Sequence, residues 1–178
     1  MTANGKQDQL RLGFLTAIEL PDKGFVGGLL VTNHCGRPLE FQCTVPVRPN
    51  ATQEILYGPT LAPFILGELI GGTLVEKAGV KPQLILTDRL QILELRNHVD
   101  QPVALVESQE TSENSEQADA PRTLKLGRQI IRFHAAHDED HMAVSRGAHH
   151  VPADADLKEP FERVREALEE TLRSGALR

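Results

Sequence analysis

In KPQLILTDRLQILELR, residues 81–96, an apolar run from Leu84 to Leu86 stops at Thr87-Asp88 and turns at once into a helical pattern reaching about His98. The run reads as a buried strand, and Pro102 to Val106 reads as another. Strand, helix and strand make a β-α-β unit, so these two strands are expected to lie parallel with a right-handed crossover. Asp88, at the junction, has two readings. As a cap it accepts hydrogen bonds from the free N–H groups of the first helical turn, in a capping box with Gln91. As a chemical group it stands at the C-terminal end of a central strand, where open α/β sheets place ligands, metals and catalytic residues. The cap is the simpler reading and is the expectation.

Upstream, LGFLTAIEL (12–20) alternates and reads as a strand ended by the turn Pro21-Asp22-Lys23-Gly24. Phe25 to Asn33 is a second strand. After the turn His34-Cys35-Gly36-Arg37, the apolar Leu39, Phe41, Cys43 and Val45 alternate with polar residues, which predicts a third strand with one buried and one wet face. Together these form an antiparallel meander. Gly27-Gly28 inside the second strand is costly unless a bulge or a close backbone approach requires it. Residues 50–79 are apolar nearly all round a helix and are expected to be buried, with a break at Gly58-Pro59, Thr60 as cap of the longer half, and Gly67 and Gly71 packed on the sheet. Arg128 to Phe133 is a further strand. In DLKEPFERVREALEETLRSGALR, the residues Leu157, Phe161, Val164, Leu168 and Leu172 form one stripe of an amphipathic C-terminal helix stopped by Gly175. That stripe serves core packing, with docking of a protein partner as the alternative.

A chain of 178 residues, 40% hydrophobic and 25% charged, is long enough for one sizeable core and is expected to form a single α/β domain over residues 1–178. Its core should include Phe14, Ile18, Leu30, Phe41, Ile65, Leu69, Ile85 and Leu105. No apolar stretch approaches a bilayer span and the first residues do not have a signal-peptide layout, so a cytoplasmic protein without membrane contact is expected. Cys35 and Cys43 form no disulfide framework and no zinc spacing. Of the net charge of −6, residues 107–120 (ESQETSENSEQADA) carry −5, and this segment reads as a disordered acidic insertion. The remainder is close to neutral, which leaves nucleic acid as an open partner. The sequence assigns no oligomeric state.

The succession of a three-strand meander, a long helix, a parallel strand, a helix, another strand and a final helix is similar to the ribonuclease H-like superfamily. KGFVGGLLVTNHCGRPLEF resembles that family's Gly-rich second strand and hairpin, PNATQEILYGPTL its first helix, LILTDRL its fourth strand with Thr-Asp at the end, and IRFHAAHDEDHMAV its His loop with a late acid. The resemblance implies metal-holding carboxylates at Glu19, Glu54 and Asp88, a fourth at Asp138 or Asp140, a proton-transfer group at His134 or His137, and Mg²⁺ or Mn²⁺ as cofactor at a phosphodiester. Glu19 departs from the pattern: the family places Asp followed by Gly there, whereas here Leu20-Pro21 follows a longer acid.

HAAHDEDHMAVSRGAHH gathers His134, His137, His141, His149 and His150, and the spacing of the first three would place them on one helical face as ligands for Zn²⁺ or Ni²⁺. The competing reading, a solvated His-rich connector over 134–150, is the expectation. No phosphate loop, dinucleotide fingerprint or nucleophile elbow occurs. Three functions follow. The leading expectation is a non-catalytic protein-interaction or structural module. The alternatives are a metal-dependent nuclease or related phosphoryl-transfer enzyme built on Glu19, Glu54 and Asp88, and divalent-metal binding through the His-rich segment.

Overall fold

The computed structural model describes residues 10–107 and 122–175. Seven strands, β1 (Leu12–Leu20), β2 (Gly24–Thr32), β3 (Pro38–Cys43), β4 (Leu84–Thr87), β5 (Val103–Val106), β6 (Thr123–Leu126) and β7 (Gln129–Phe133), form one sheet in the order β3-β2-β1-β4-β5-β7-β6. The meander is antiparallel, β4 lies parallel to β1 and β5 parallel to β4. This is the ribonuclease H-like order expected from the sequence. β7 then returns antiparallel on β5 and β6 pairs with it, turning through Gly127 at φ +58°. The segment that becomes β6 carries no strand signal strong enough to stand out in the sequence.

Both faces of the sheet are covered, and so β1 is buried from Leu12 through Ala17 instead of alternating. On one face α4 (Glu159–Arg173) lays Phe161, Val164 and Leu168 against Phe14, Leu30, Leu86 and Ala104. Phe161 meets Phe14 edge-on at 5.5 Å between ring centroids. The apolar stripe of the last helix is therefore spent inside the fold, not offered to a protein partner. On the other face a π-helical segment, Pro63–Gly71, runs into α2 (Gly72–Lys77) and brings Ile65, Leu66, Ile70 and Leu74 onto Leu15, Leu29 and Ile85. Gly27 and Gly28 let these two layers approach. A Cβ on Gly27 would lie 2.1 Å from Ile70 Cγ2, and one on Gly28 would lie 2.7 Å from Val164 Cγ1 on the opposite side.

Several local expectations are corrected. α1 (Ala51–Tyr57) is closed by a complete capping box between Asn50 and Gln53, yet buries none of its residues, and Ile55 and Leu56 are 79% and 77% exposed. Thr60 does not cap the following helix; it ends a 3₁₀ turn and donates its hydroxyl to the Tyr57 carbonyl at 2.6 Å. Gly67 and Gly71 face the segment Leu90–Asn97 rather than the sheet: a Cβ on Gly67 would lie 3.0 Å from the Gln91 carbonyl. Leu69 is 40% exposed, while Ile18 and Phe41 are half-buried. β3 is partly open on both faces, without the clean alternation expected. The His-rich stretch is no simple connector, for it contains α3 (Glu139–Ser145) and a further 3₁₀ turn, Ala148–His150. Of the acidic segment 107–120, only Glu107 falls among the described residues, and it is buried. Among the described residues no single helix is long and apolar enough to cross a membrane.

Candidate functional site

The parallel pairing of β1 and β4 sets Leu15 opposite Thr87, which brings the next residue of β1, Thr16, beside Asp88. The fully buried Thr16 donates its hydroxyl to Asp88 Oδ1 at 2.6 Å. The other oxygen, Oδ2, forms an ion pair with the Arg165 guanidinium, delivered by α4. Asp88 is thus no helix cap. The segment after it, Leu90–Asn97, is a 3₁₀ helix whose N-cap, Arg89, makes no side-chain cap bond, and the Arg89 N–H is met by Thr87 Oγ1 at 3.2 Å. The 3₁₀ winding suits the buried pair Ile92 and Leu95, three residues apart and so stacked on one face. Arg89 itself is turned back onto the Ala17 carbonyl at 2.7 Å.

Asp88 opens onto a cavity of about 400 Å³. Glu107 just past β5, Lys158 at the N-cap of α4, and Phe161, Glu162 and Arg165 within that helix share its wall. Glu107 is tied to Arg132 of β7. Thr16, Glu107, Lys158, Glu162 and Arg165 carry no sequence signal of a site. The one clue was available in α4, where Lys158, Glu162 and Arg165 recur at helical spacing beside the stripe of Phe161, Val164 and Leu168.

The residues that the family resemblance implies do not converge on Asp88. Glu19 is exposed opposite Phe25, four residues past Leu15 and so about 13 Å farther along the strand. Glu54 is exposed on α1. Asp138 is exposed and paired with Arg122 at 3.3 Å. Asp140 is buried and grips Arg96 through two bonds of 2.7 and 3.1 Å, an embrace that raises the arginine's pKa further. Among the described residues no three His, Cys, Asp or Glu side chains could hold a metal ion. Mg²⁺ and Mn²⁺ need several free oxygens. Both oxygens of Asp88 are engaged, by Thr16 and by the cationic Arg165, and among the described residues no second acid converges on it, so the donor set does not fit a two-metal centre.

The histidines lie at the other end of the sheet, since β7 ends at Phe133 opposite Ala104, near the start of β5. His137 Nε2 stands 2.9 Å from Asn97 Oδ1, and His134 packs edge-on to His137. The Ala136 N–H donates to His134 Nδ1 at 3.0 Å, and His134 Nε2 lies 3.4 Å from Asn97 Nδ2. Burial, and then the neighbouring His137, lower the pKa of His134. A backbone hydrogen bond lowers that of Glu139. His141 is turned away to the Thr123 carbonyl at 3.0 Å and against the Phe133 ring, so the three histidines do not form the ligand set that the metal-binding alternative requires.

No protein-family model matches the sequence, and no curated protein matches it. Among solved structures the chain is similar to the catalytic domain of human endonuclease V, at 13% identity over 93% of this chain and 85% of that one, with a TM-score of 0.46. It is similar also to Ciona intestinalis endonuclease V in complex with a 23mer DNA containing an inosine, at 10% identity over 92% and 87% of the two chains and a TM-score of 0.44. Marinitoga piezophila Argonaute with a guide RNA follows at 13% identity, 82% of this chain and 27% of that one, and a TM-score of 0.34. The leading expectation from the sequence, a non-catalytic protein-interaction or structural module, is corrected by this finding: the chain's structural likeness is to endonucleases.

Proposed function

We propose that this chain acts on the phosphodiester backbone of nucleic acid, in the cavity at Asp88. The observation that carries the reading is the placement of a carboxylate at the C-terminal end of the central strand β4, facing a cavity of about 400 Å³ that it shares with Lys158 and Arg165. Ligands of open α/β sheets enter at this end of the strands. A phosphate group entering the cavity meets two cations and competes with Asp88 for the guanidinium, which is well shaped for two phosphate oxygens. Thr16 keeps Oδ1 in place while Oδ2 is released. The freed carboxylate then stands as general base for a water attacking phosphorus, and Lys158 and Arg165 stabilise the charge gathering on the phosphoryl oxygens. The departing sugar oxygen takes its proton from solvent.

The test is binding and cleavage of labelled single- and double-stranded DNA and RNA, with and without Mg²⁺. Lys158→Ala should weaken binding and lower the salt dependence by roughly one counterion. Asp88→Asn should retain binding and lose cleavage under every condition in which the wild type cleaves. A wild-type protein that binds no oligonucleotide at low ionic strength, or an Asp88→Asn variant that cleaves normally, defeats the proposal.

A further inference from the structure

We infer that Arg165 stands where a carboxylate centre would hold a divalent cation, so that phosphate binding at Asp88 is independent of divalent metal. The inference rests on the phosphodiester reading above and states what recognises the phosphate: a guanidinium fixed on the protein, not a dissociable ion.

Three features converge on it. First, the β1 position beside Asp88 is Thr16, a hydroxyl donor, where a metal centre calls for a second oxyanion. A hydroxyl that donates to Oδ1 at 2.6 Å takes one of its lone pairs and brings no negative charge of its own. Second, Arg165 takes the remaining oxygen, placing a permanent positive charge against the carboxylate. A cation approaching Asp88 would be repelled by it. Third, the other acid reaching this cavity from the sheet, Glu107, is already neutralised by Arg132, and Glu162 shares the cavity wall with Lys158 and Arg165. Asp88 and Glu107 are therefore both ion-paired within the protein. Arg165 is a positioning residue for Asp88 in the free protein and a phosphate ligand once substrate enters. Its placement depends on α4, which is anchored by Phe161, Val164 and Leu168.

The prediction is an exchange between arginine and metal. Melting of the wild-type chain, followed by calorimetry, should be indifferent to millimolar Mg²⁺ or Mn²⁺. In Arg165→Ala, with Asp88 freed, Mn²⁺ should raise the melting temperature by roughly 3 °C or more, and the rise should vanish in Arg165→Ala/Asp88→Asn. Arg165→Lys, which keeps the charge, should remain indifferent to Mn²⁺; Arg165→Gln serves in place of the alanine variant should that one fail to fold. Wild-type affinity for an oligonucleotide should be unchanged by chelator, and Arg165→Ala should lose it by about tenfold or more. Stabilisation of the wild type by Mn²⁺ equal to that of Arg165→Ala, absence of a Mn²⁺ effect in both, or loss of wild-type oligonucleotide affinity in chelator overturns the inference. If the wild type binds no oligonucleotide, the phosphodiester reading falls, and the melting experiments still decide whether Arg165 occupies the place of a cation.

Discussion

Replacing Arg96 by Met tests the network that ties the 3₁₀ helix after β4 to α3. Asp140 is 3% exposed at its side chain and Arg96 12%, with two bonds between them of 2.7 and 3.1 Å and a third from Arg96 to the Val99 carbonyl at 3.0 Å. Met fills much the same volume, so packing changes little and the dominant effect is a buried carboxylate without a partner. Loss of one member of a buried pair costs about 3–5 kcal/mol. Asp140 lies in the first turn of α3, where free N–H groups favour negative charge by about 0.3–1 kcal/mol, which draws the expectation toward the lower end, about 3 kcal/mol. For a chain of this length that is a fall of roughly 6–12 °C in melting temperature. Urea denaturation at neutral pH would measure it. The double variant Arg96→Met/Asp140→Leu should recover most of the loss, because no charge is then left stranded. A single variant costing less than about 1 kcal/mol, or a double variant as unstable as the two singles summed, would refute the reasoning.

Two further outcomes follow from the geometry. Gly27→Ala should destabilise by about 1–3 kcal/mol, because its methyl would meet the branched and fully buried Ile70 at 2.1 Å, and Ile70→Ala in the same chain should relieve part of the clash; equal melting of Gly27→Ala and wild type would count against it. For His134, burial and the nearby His137 hold the folded-state pKa below the usual imidazole value, so the unfolded chain binds the proton more readily and stability drains away as pH falls through the ordinary imidazole value toward the folded one. His134→Gln should flatten that decline, and denaturation curves at neutral and mildly acidic pH that are equally steep in both proteins would remove His134 as its source.

The strand order was legible because β-strand and helix periodicities are local. The meander, the β-α-β unit and the amphipathic last helix each announce themselves within twenty or so residues. Gly27-Gly28 was also readable as a close approach, although not which side chains make it: Ile70 and Val164 come from opposite faces and distant segments. What local pattern could not separate was Ile55-Leu56 from Ile65-Leu66. Both pairs are apolar in a helical context, yet the first is exposed and the second buried. The difference arises at Gly58, whose positive φ of 51° turns the chain before the second pair reaches the sheet.

The site was harder for a related reason: it is set by register, not by composition. Glu19 drew attention as the acid at the end of the first strand, but parallel pairing places Thr16 beside Asp88, and Thr16 has no chemical mark in the sequence. Arg165 comes from a helix far along the chain and reaches Asp88 only because the stripe of that helix packs beneath it. Thr16 and Arg165 belong together physically. A hydroxyl beside Asp88 brings no negative charge where an acid would, and Arg165 on α4 adds a positive one. Asp88 and Glu107 are then paired with Arg165 and Arg132, and the formal charge of Glu162 is offset by Lys158 on the same cavity wall. A cavity so balanced has no surplus negative charge with which to retain a divalent ion. It can accept a phosphate only by moving Arg165 from Asp88 to the ligand, and that same transfer exposes the carboxylate that hydrolysis of the phosphodiester would need.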